Sequence, residues 1–343
     1  MKRMHFLTAA LACAVLSLSA VASPGAEGGL RIYAIDVEGG QATLIVTPAG
    51  QSMLVDTGWP GYSGRDADRI IAATRVAEIK RIDFLIITHY HMDHVGGITQ
   101  LAERIPIGKF IDHGPDTETN PQAEKLYAAY EKLAGKGKRL TVKPGDRIPL
   151  RGVSVRILTA NGAHIRKALP GAGKPNPACK DVKPLGEDKS ENARSIGFLL
   201  TYGKFRFLDL GDLTWDKELA LMCPRNLIGR VDVFLVSHHG MNISNSPALV
   251  WGINPRVAIM NNGEKKGGSP GAWEVIEKSP VLEDLWQLHY SAAGGPEHNV
   301  EEPFIANPEG PDSAYSIDVA AHLDGSFSVT NTRTGLTRRY AAK

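Results

Sequence analysis

The stretch IDFLIITHYHMDHVGG, residues 82–97, restricts what this chain can fold into more than any other. A strand-like apolar run stops at His89, and His89, His91, Asp93 and His94 follow as H-x-H-x-D-H. Imidazole and carboxylate donors suit zinc, manganese or iron. Four such groups in one turn cannot all reach one ion comfortably, but two adjacent ions can share them. Two ions about 3.5–4 Å apart hold a bridging hydroxide, a nucleophile available at neutral pH. The expectation is a buried strand that ends at an open sheet edge and presents a site for two divalent ions. Zinc is expected first, and manganese or iron is compatible with the same donors.

The rest of the chain supplies sheets for such an edge. LRIYAIDV, QATLIVTP and QSMLVDTG are β-rich runs separated by turn residues and predict an antiparallel meander. Helices are predicted over residues 68–80, 96–103, 121–133, 215–221 and 272–277. Strands are predicted at 110–113, RLTV, DRIPL, VSVRILTA, SIGFLLTYG, FRFLDLGD, VDVFLVSHHG and RVAIMNNG. Residues 161–192 are rich in Gly, Pro, Lys and Asp and too long for an ordinary connection, so they read as a functional loop or an insert. The last predicted element is a hairpin over residues 315–331 turning at Asp324-Gly325. Two β-rich halves with interspersed helices imply two packed sheets with helices outside, in one domain from about residue 30.

With these landmarks in place, THYHMDHVGG resembles the signature of the metallo-β-lactamase superfamily. MLVDTG, FLDLGD and VFLVSHHG resemble its other motifs in the same order, over about residues 30–290. The resemblance implies an α+β fold, a four-layer αββα sandwich, and a one- or two-metal hydrolytic site. It also implies roles. His89 and His91 hold the first ion, Asp93 and His94 the second, and Asp212 bridges them. Asp56 braces the metal loop without binding metal. His238 or His239 completes the second site. His238 is favoured because it stands at the strand end, which leaves His239 to donate to the substrate. Asp93, Asp212 and His239 are thus the candidate catalytic residues. IDVEGGQATLIVTPAGQSMLVDTG and ENARSIGFLLTYGKFRFLDLGD are similar to the soluble hydrolase domain of ComEC-type DNA-uptake proteins, without their membrane channel. Many superfamily members carry a further first-site histidine about twenty residues before the bridging aspartate. Asn192 stands there instead, so the first ion is expected to be less tightly held. Asn192 is left as a substrate-binding candidate. His164, in the long loop, is a nearby histidine but reads as an ordinary loop residue.

Substrate selection is less legible. Lys265 and Lys266, among the glycines of NNGEKKGGSPG, can place cations and backbone N–H groups around an anion. His113 and His289 read as structural, and Trp215, Trp251, Trp273 and Trp286 as packing residues. Phosphoester hydrolysis is the leading expectation, because true β-lactamases of the superfamily usually lack the bridging aspartate. A β-lactamase or lactonase, and a non-catalytic ligand-binding module, are the alternatives.

The N-terminus bears on location. Lys2 and Arg3 precede an apolar run over residues 6–20, and Ala20 and Ala22 have the spacing of a small-residue cleavage site. The reading is a signal peptide over residues 1–22, a linker over 23–29, and a periplasmic or secreted product. Removing two basic residues leaves 37 basic groups against 37 acidic ones. Net charge therefore does not support nonspecific nucleic-acid binding, although a local patch remains open. A small-molecule or short phosphodiester substrate is expected, and no stable membrane partner. Cys179 and Cys223 remain after export, and an oxidising compartment favours their pairing.

Overall fold

The computed structural model describes residues 29–135, 138–180, 182–308 and 313–343. The proposed signal peptide and cleavage site lie outside the described residues. Among the described residues, no helix is long and apolar enough to cross a membrane.

Two nine-stranded mixed sheets lie face to face. The first opens with the expected meander, Leu30–Ala34, Thr43–Val46 and Ser52–Val55. Parallel strands Ile82–Ile86, Ile107–Asp112 and Arg139–Thr141 extend it on one side. The second sheet is antiparallel through Arg147–Ile148, Ser154–Ala160, Gly197–Tyr202 and Phe205–Asp209. It then turns parallel through Val233–Leu235, Val257–Met260, Asp284–His289 and Ile305–Asn307.

Strand alternation decides the layering. Ile32, Ile45, Met53 and Val55 of the first sheet meet Val155, Ile157, Phe198, Phe207 and Trp286 of the second in one buried core between the sheets. The opposite rows face outward and are covered by helices. Tyr33, Leu44, Leu54 and Leu85 pack against Arg65–Val76, Ile98–Ala102 and Pro121–Ala134. Leu158, Leu199, Leu208 and Phe234 pack against Trp215–Met222, Pro247–Ile253 and Pro270–Glu277. The order helix, sheet, sheet, helix is the expected four-layer sandwich.

Several elements differ from their predicted form. Helix Pro247–Ile253 was not foreseen, although Ser246 accepts the Leu249 N–H at its N-cap and Pro247 opens the first turn. The C-terminal hairpin pairs Ile317–Ala321 with Phe327–Asn331, and a further strand, Thr337–Tyr340, follows. Ile317–Ala321 also pairs with Leu30–Ala34, so the chain end completes the first sheet. The long loop contains a two-residue strand, Ala163–His164, and a short 3-10 turn, Pro177–Lys180. The Cys179–Cys223 disulfide ties that turn to the end of helix Trp215–Met222.

Candidate metal centre

The site forms where strand ends from both sheets meet. Strand Ile82–Ile86 delivers His89, and helix Met92–Val95 follows at once. The helix packs tightly because residues 96 and 97 are glycines. A Cβ at Gly97 would overlap the Thr57 carbonyl. The second sheet contributes Asp212, three residues beyond strand Phe205–Asp209, and the turn Ser237–Gly240 after Val233–Leu235.

The side chains converge on Asp212, which is buried. Its Oδ2 lies 3.9 Å from His89 Nε2, 3.2 Å from His94 Nε2 and 3.4 Å from His238 Nε2. Its Oδ1 lies 3.4 Å from His239 Nε2. His239 Nε2 is also 3.2 Å from Asp93 Oδ2 and 3.3 Å from His94 Nε2. Asp93, His94, Asp212 and His239 therefore form one compact donor set. His89 Nε2 faces His91 Nδ1 at 3.0 Å. His89 and His238 lie on the same Asp212 oxygen as His94, beside the compact set.

The structure places His239, and not the favoured His238, in the compact set with Asp93 and His94, while His238 Nε2 lies against Asp212 Oδ2. Counting from the strand end fails because both residues adopt left-handed backbone, with φ of 53° and 54°. In extended backbone, neighbouring side chains point to opposite faces. Here the turn aims both imidazoles at Asp212. Gly267 permits it, since its φ is +80° and a Cβ there would strike the His239 carbonyl.

Outer partners select which nitrogen faces inward. Asp56 Oδ2 lies 2.7 Å from His94 Nδ1. Glu118 Oε1 lies 2.9 Å from His91 Nε2. Thr88 Oγ1 and Ser244 Oγ lie 3.2 Å from Nδ1 of His89 and of His238 respectively. A histidine whose far nitrogen is held by an oxygen presents the other one in fixed orientation. Burial pushes the Asp93 and Asp212 carboxyls upward, but the imidazoles around them overcome it and hold both well below the usual carboxylate range. Burial and the neighbouring imidazoles hold His89 well below its ordinary value. Burial opposes protonation of His94 as well, yet Asp212, Asp93 and Asp56 raise it well above. A cation binding there must displace a proton.

These residues fit divalent ions. Asp212 Oδ1 is buried without a hydrogen-bond partner. With the far nitrogens of His89, His91 and His94 held by oxygens, the inner imidazole nitrogens face one another with lone pairs and no donor between them, an arrangement a bound cation relieves.

The remaining candidates separate clearly. Lys266 Nζ pairs with Asp93 Oδ2 and lies 5.1 Å above the Trp59 ring, whereas Lys265 is exposed. Asn192 opens the turn Asn192–Arg194 but is not among the ligands, and its Oδ1 is buried unpaired. His164 lies near Arg166 and Lys217, outside the cluster. His113 pairs with buried Glu191 at 2.9 Å, and His289 with Asp36 at 2.7 Å. Glu118 and Trp59 were missed. Each lies in a loop, and a single carboxylate or indole in a loop carries no sequence signal.

A compact set of buried aspartates and histidines at the strand ends of a four-layer sandwich defines a metal-dependent hydrolase of the metallo-beta-lactamase fold. The model of the metallo-beta-lactamase superfamily matches residues 35–179. Recombination protein 2 of Haemophilus influenzae is 25% identical over 233 residues, covering 68% of this chain and 24% of that protein. ComE operon protein 3 of Bacillus subtilis is 23% identical over 277 residues, covering 75% of this chain and 31% of that protein. The chain thus spans about a quarter to a third of the length of these relatives. Among solved structures, the metallo-beta-lactamase fold protein YhfI from Bacillus subtilis aligns at 11% identity with a TM-score of 0.46. That alignment covers 76% of this chain and 95% of YhfI.

Proposed function

We propose that this enzyme is an exported hydrolase of phosphodiesters or related phosphoesters, using two divalent ions, zinc in the first instance. The observation that carries the reading is Asp212, whose Oδ2 lies against His89, His94 and His238 while its Oδ1 faces His239. A carboxylate so placed suits two cations side by side. Bound there, such a pair would supply Lewis acidity and lower the pKa of water. In the reaction a water oxygen bonds to phosphorus, the ester O–P bond breaks, and the departing oxygen takes a proton.

The chain's own residues shape that chemistry. His89, His91 and His238 would hold one ion, and Asp93, His94 and His239 the other, with Asp212 between. Lys266, 29% exposed at its side chain, is placed to neutralise a non-bridging phosphoryl oxygen once Asp93 is engaged by metal. Trp59 forms the wall beneath it. Export is supported by the N-terminal pattern of Lys2, Arg3 and the apolar run, together with the Cys179–Cys223 bond. The ComEC-like resemblance favours a phosphodiester.

The test compares a chromogenic phosphodiester with a chromogenic cephalosporin on protein reconstituted with zinc or manganese, with Asp212→Ala as control. Phosphodiester turnover lost in the variant is expected. Cephalosporin turnover alone would overturn the proposal in favour of the β-lactamase reading.

A further inference from the structure

The second sheet changes character along its outer face. Near the metal centre that face is apolar, with Leu158, Leu199 and Leu208 packed under helices. Following the same rows away from the centre reaches Ser154 and Arg156 on one strand, Thr201 on the next and Arg206 on the third. Arg147 joins them from the edge strand. Arg147 stands directly opposite Arg156 in the ladder, Leu199 opposite Arg156, and Thr201 opposite Arg206. These residues, with Leu169 and Pro170, line a cleft of about 290 Å³.

Like charges directly opposed across strands destabilise a sheet. Among the described residues none of the three guanidinium groups forms an ion pair. Arg147 Nη1 donates to Ser154 Oγ at 3.0 Å, and Arg206 Nη2 donates to the Ile228 carbonyl at 2.7 Å. Arg156 Nε is buried with no partner at all. Asp232, the carboxylate whose charge acts on Arg206, already accepts the Arg206 backbone N–H at 2.9 Å and lies 4.0 Å from Arg256. Burial lowers Arg206 from its ordinary value and outweighs the nearby Asp232 charge. Arginine forks match tetrahedral oxyanions, binding them through paired N–H donors.

We propose that Arg147, Arg156 and Arg206 form an oxyanion site that takes a phosphate group, separate from the metal centre. Arg206 lies near the start of strand Phe205–Asp209, and Asp212 follows beyond its end. The three residues from Arg206 to Asp209 span roughly 10 Å, so one phosphate cannot serve both places. The phosphate has two sources, a free or terminal phosphate and a backbone linkage of a single-stranded nucleic acid. The near-zero net charge makes this cleft a local feature, not part of a basic field. It does not depend on which ester the metal centre cleaves.

The test uses the full metal-loaded protein and its Arg156→Gln variant, with Arg147→Gln as a second, more exposed substitution. Calorimetry measures binding of inorganic phosphate and of a ten-nucleotide strand with phosphorothioate linkages. Phosphate bound by the metals is common to all three proteins and cancels in the comparison. The wild type is expected to bind at least one probe about tenfold more tightly than either variant. Dependence of phosphate binding on Arg156 identifies a free phosphate, and dependence of strand binding alone identifies a backbone linkage. In low-salt buffer without phosphate, Arg156→Gln is expected to melt higher than the wild type, because an uncompensated like-charge pair has gone. Equal binding of both probes by all three proteins would overturn the proposal. So would a lower melting temperature of Arg156→Gln in that buffer, which would make the guanidinium a structural donor.

Discussion

Replacing Asp56 with asparagine tests the centre through a residue that touches no ion. Asp56 is fully buried. Its Oδ1 accepts the Thr88 N–H at 2.7 Å, and its Oδ2 accepts from Thr88 Oγ1 at 2.6 Å and His94 Nδ1 at 2.7 Å. An ionised carboxylate can only accept, so the proton of neutral His94 sits on Nδ1 and the Nε2 lone pair faces Asp93, Asp212 and His239. Asparagine keeps its oxygen on the Thr88 N–H and turns its NH2 towards His94. The favoured tautomer then carries its proton on Nε2, on the side where an ion must bind. Restoring the ligating tautomer leaves two N–H groups in opposition and one hydrogen bond unmade, about 1–3 kcal/mol. The corresponding loss of affinity is about 10–100-fold, the range usual for removing an outer-shell partner. The substitution suits the backbone, because φ at Asp56 is 60° and asparagine tolerates the left-handed region. The fold is therefore expected to survive, as far-UV circular dichroism would show, while chelator competition reveals the weakened ion. A folded Asp56→Asn protein that holds two ions with wild-type affinity would refute the tautomer argument.

Three further outcomes are expected. Glu118→Ala frees His91 Nε2 and should weaken the ion bound by His89 and His91 about tenfold, with little effect on the other. Chelator competition resolves the two, and an unchanged first ion would remove Glu118 from the site. Reducing the Cys179–Cys223 bond releases a loop of 44 residues. Chain entropy assigns that about 4 kcal/mol. For a chain of this size it corresponds to a fall in Tm of about 6 °C, readable by differential scanning calorimetry with and without reductant. Burial opposes ionisation of Glu191, but His113 and Thr117 hold its carboxyl at about 2, below its ordinary 4.5. A depressed acid binds fewer protons folded than unfolded, so its contribution is present above about pH 4.5 and is lost as pH falls towards about 2. Up to about 1.4 kcal/mol per pH unit of acid-side slope should disappear in Glu191→Gln. An identical acid limb in both proteins would count against the pairing.

Some of this molecule is legible without coordinates because the information is local. His89, His91, Asp93 and His94 lie within six residues after an apolar run, and strand and turn chemistry place them at a sheet edge. The opening meander and helix Pro121–Ala134, capped by Asn120, follow from alternation and helical spacing. His238 and His239 show where such reading stops. Their roles depend on a left-handed turn held by the close approach of Gly267 and by the Gly268 N–H donating to the His239 carbonyl, and no periodicity encodes that. Glu118 and Trp59 were invisible because their meaning lies in neighbours contributed by distant segments.

The sequence by itself determined the chemical type of the centre, the number of β-rich halves and the strand end from which the metal loop springs. It could do so because ligand identity and binary pattern are properties of short windows. Only the tertiary structure decided that the chain end joins the first strand, that Asp212 stands among imidazoles carried by both sheets, and that three arginines from separate strands share one cleft. Those arrangements arise when two sheets bury a common core and bring together residues far apart in the chain. The resulting distances and desolvation, not the residue types, assign each group its role.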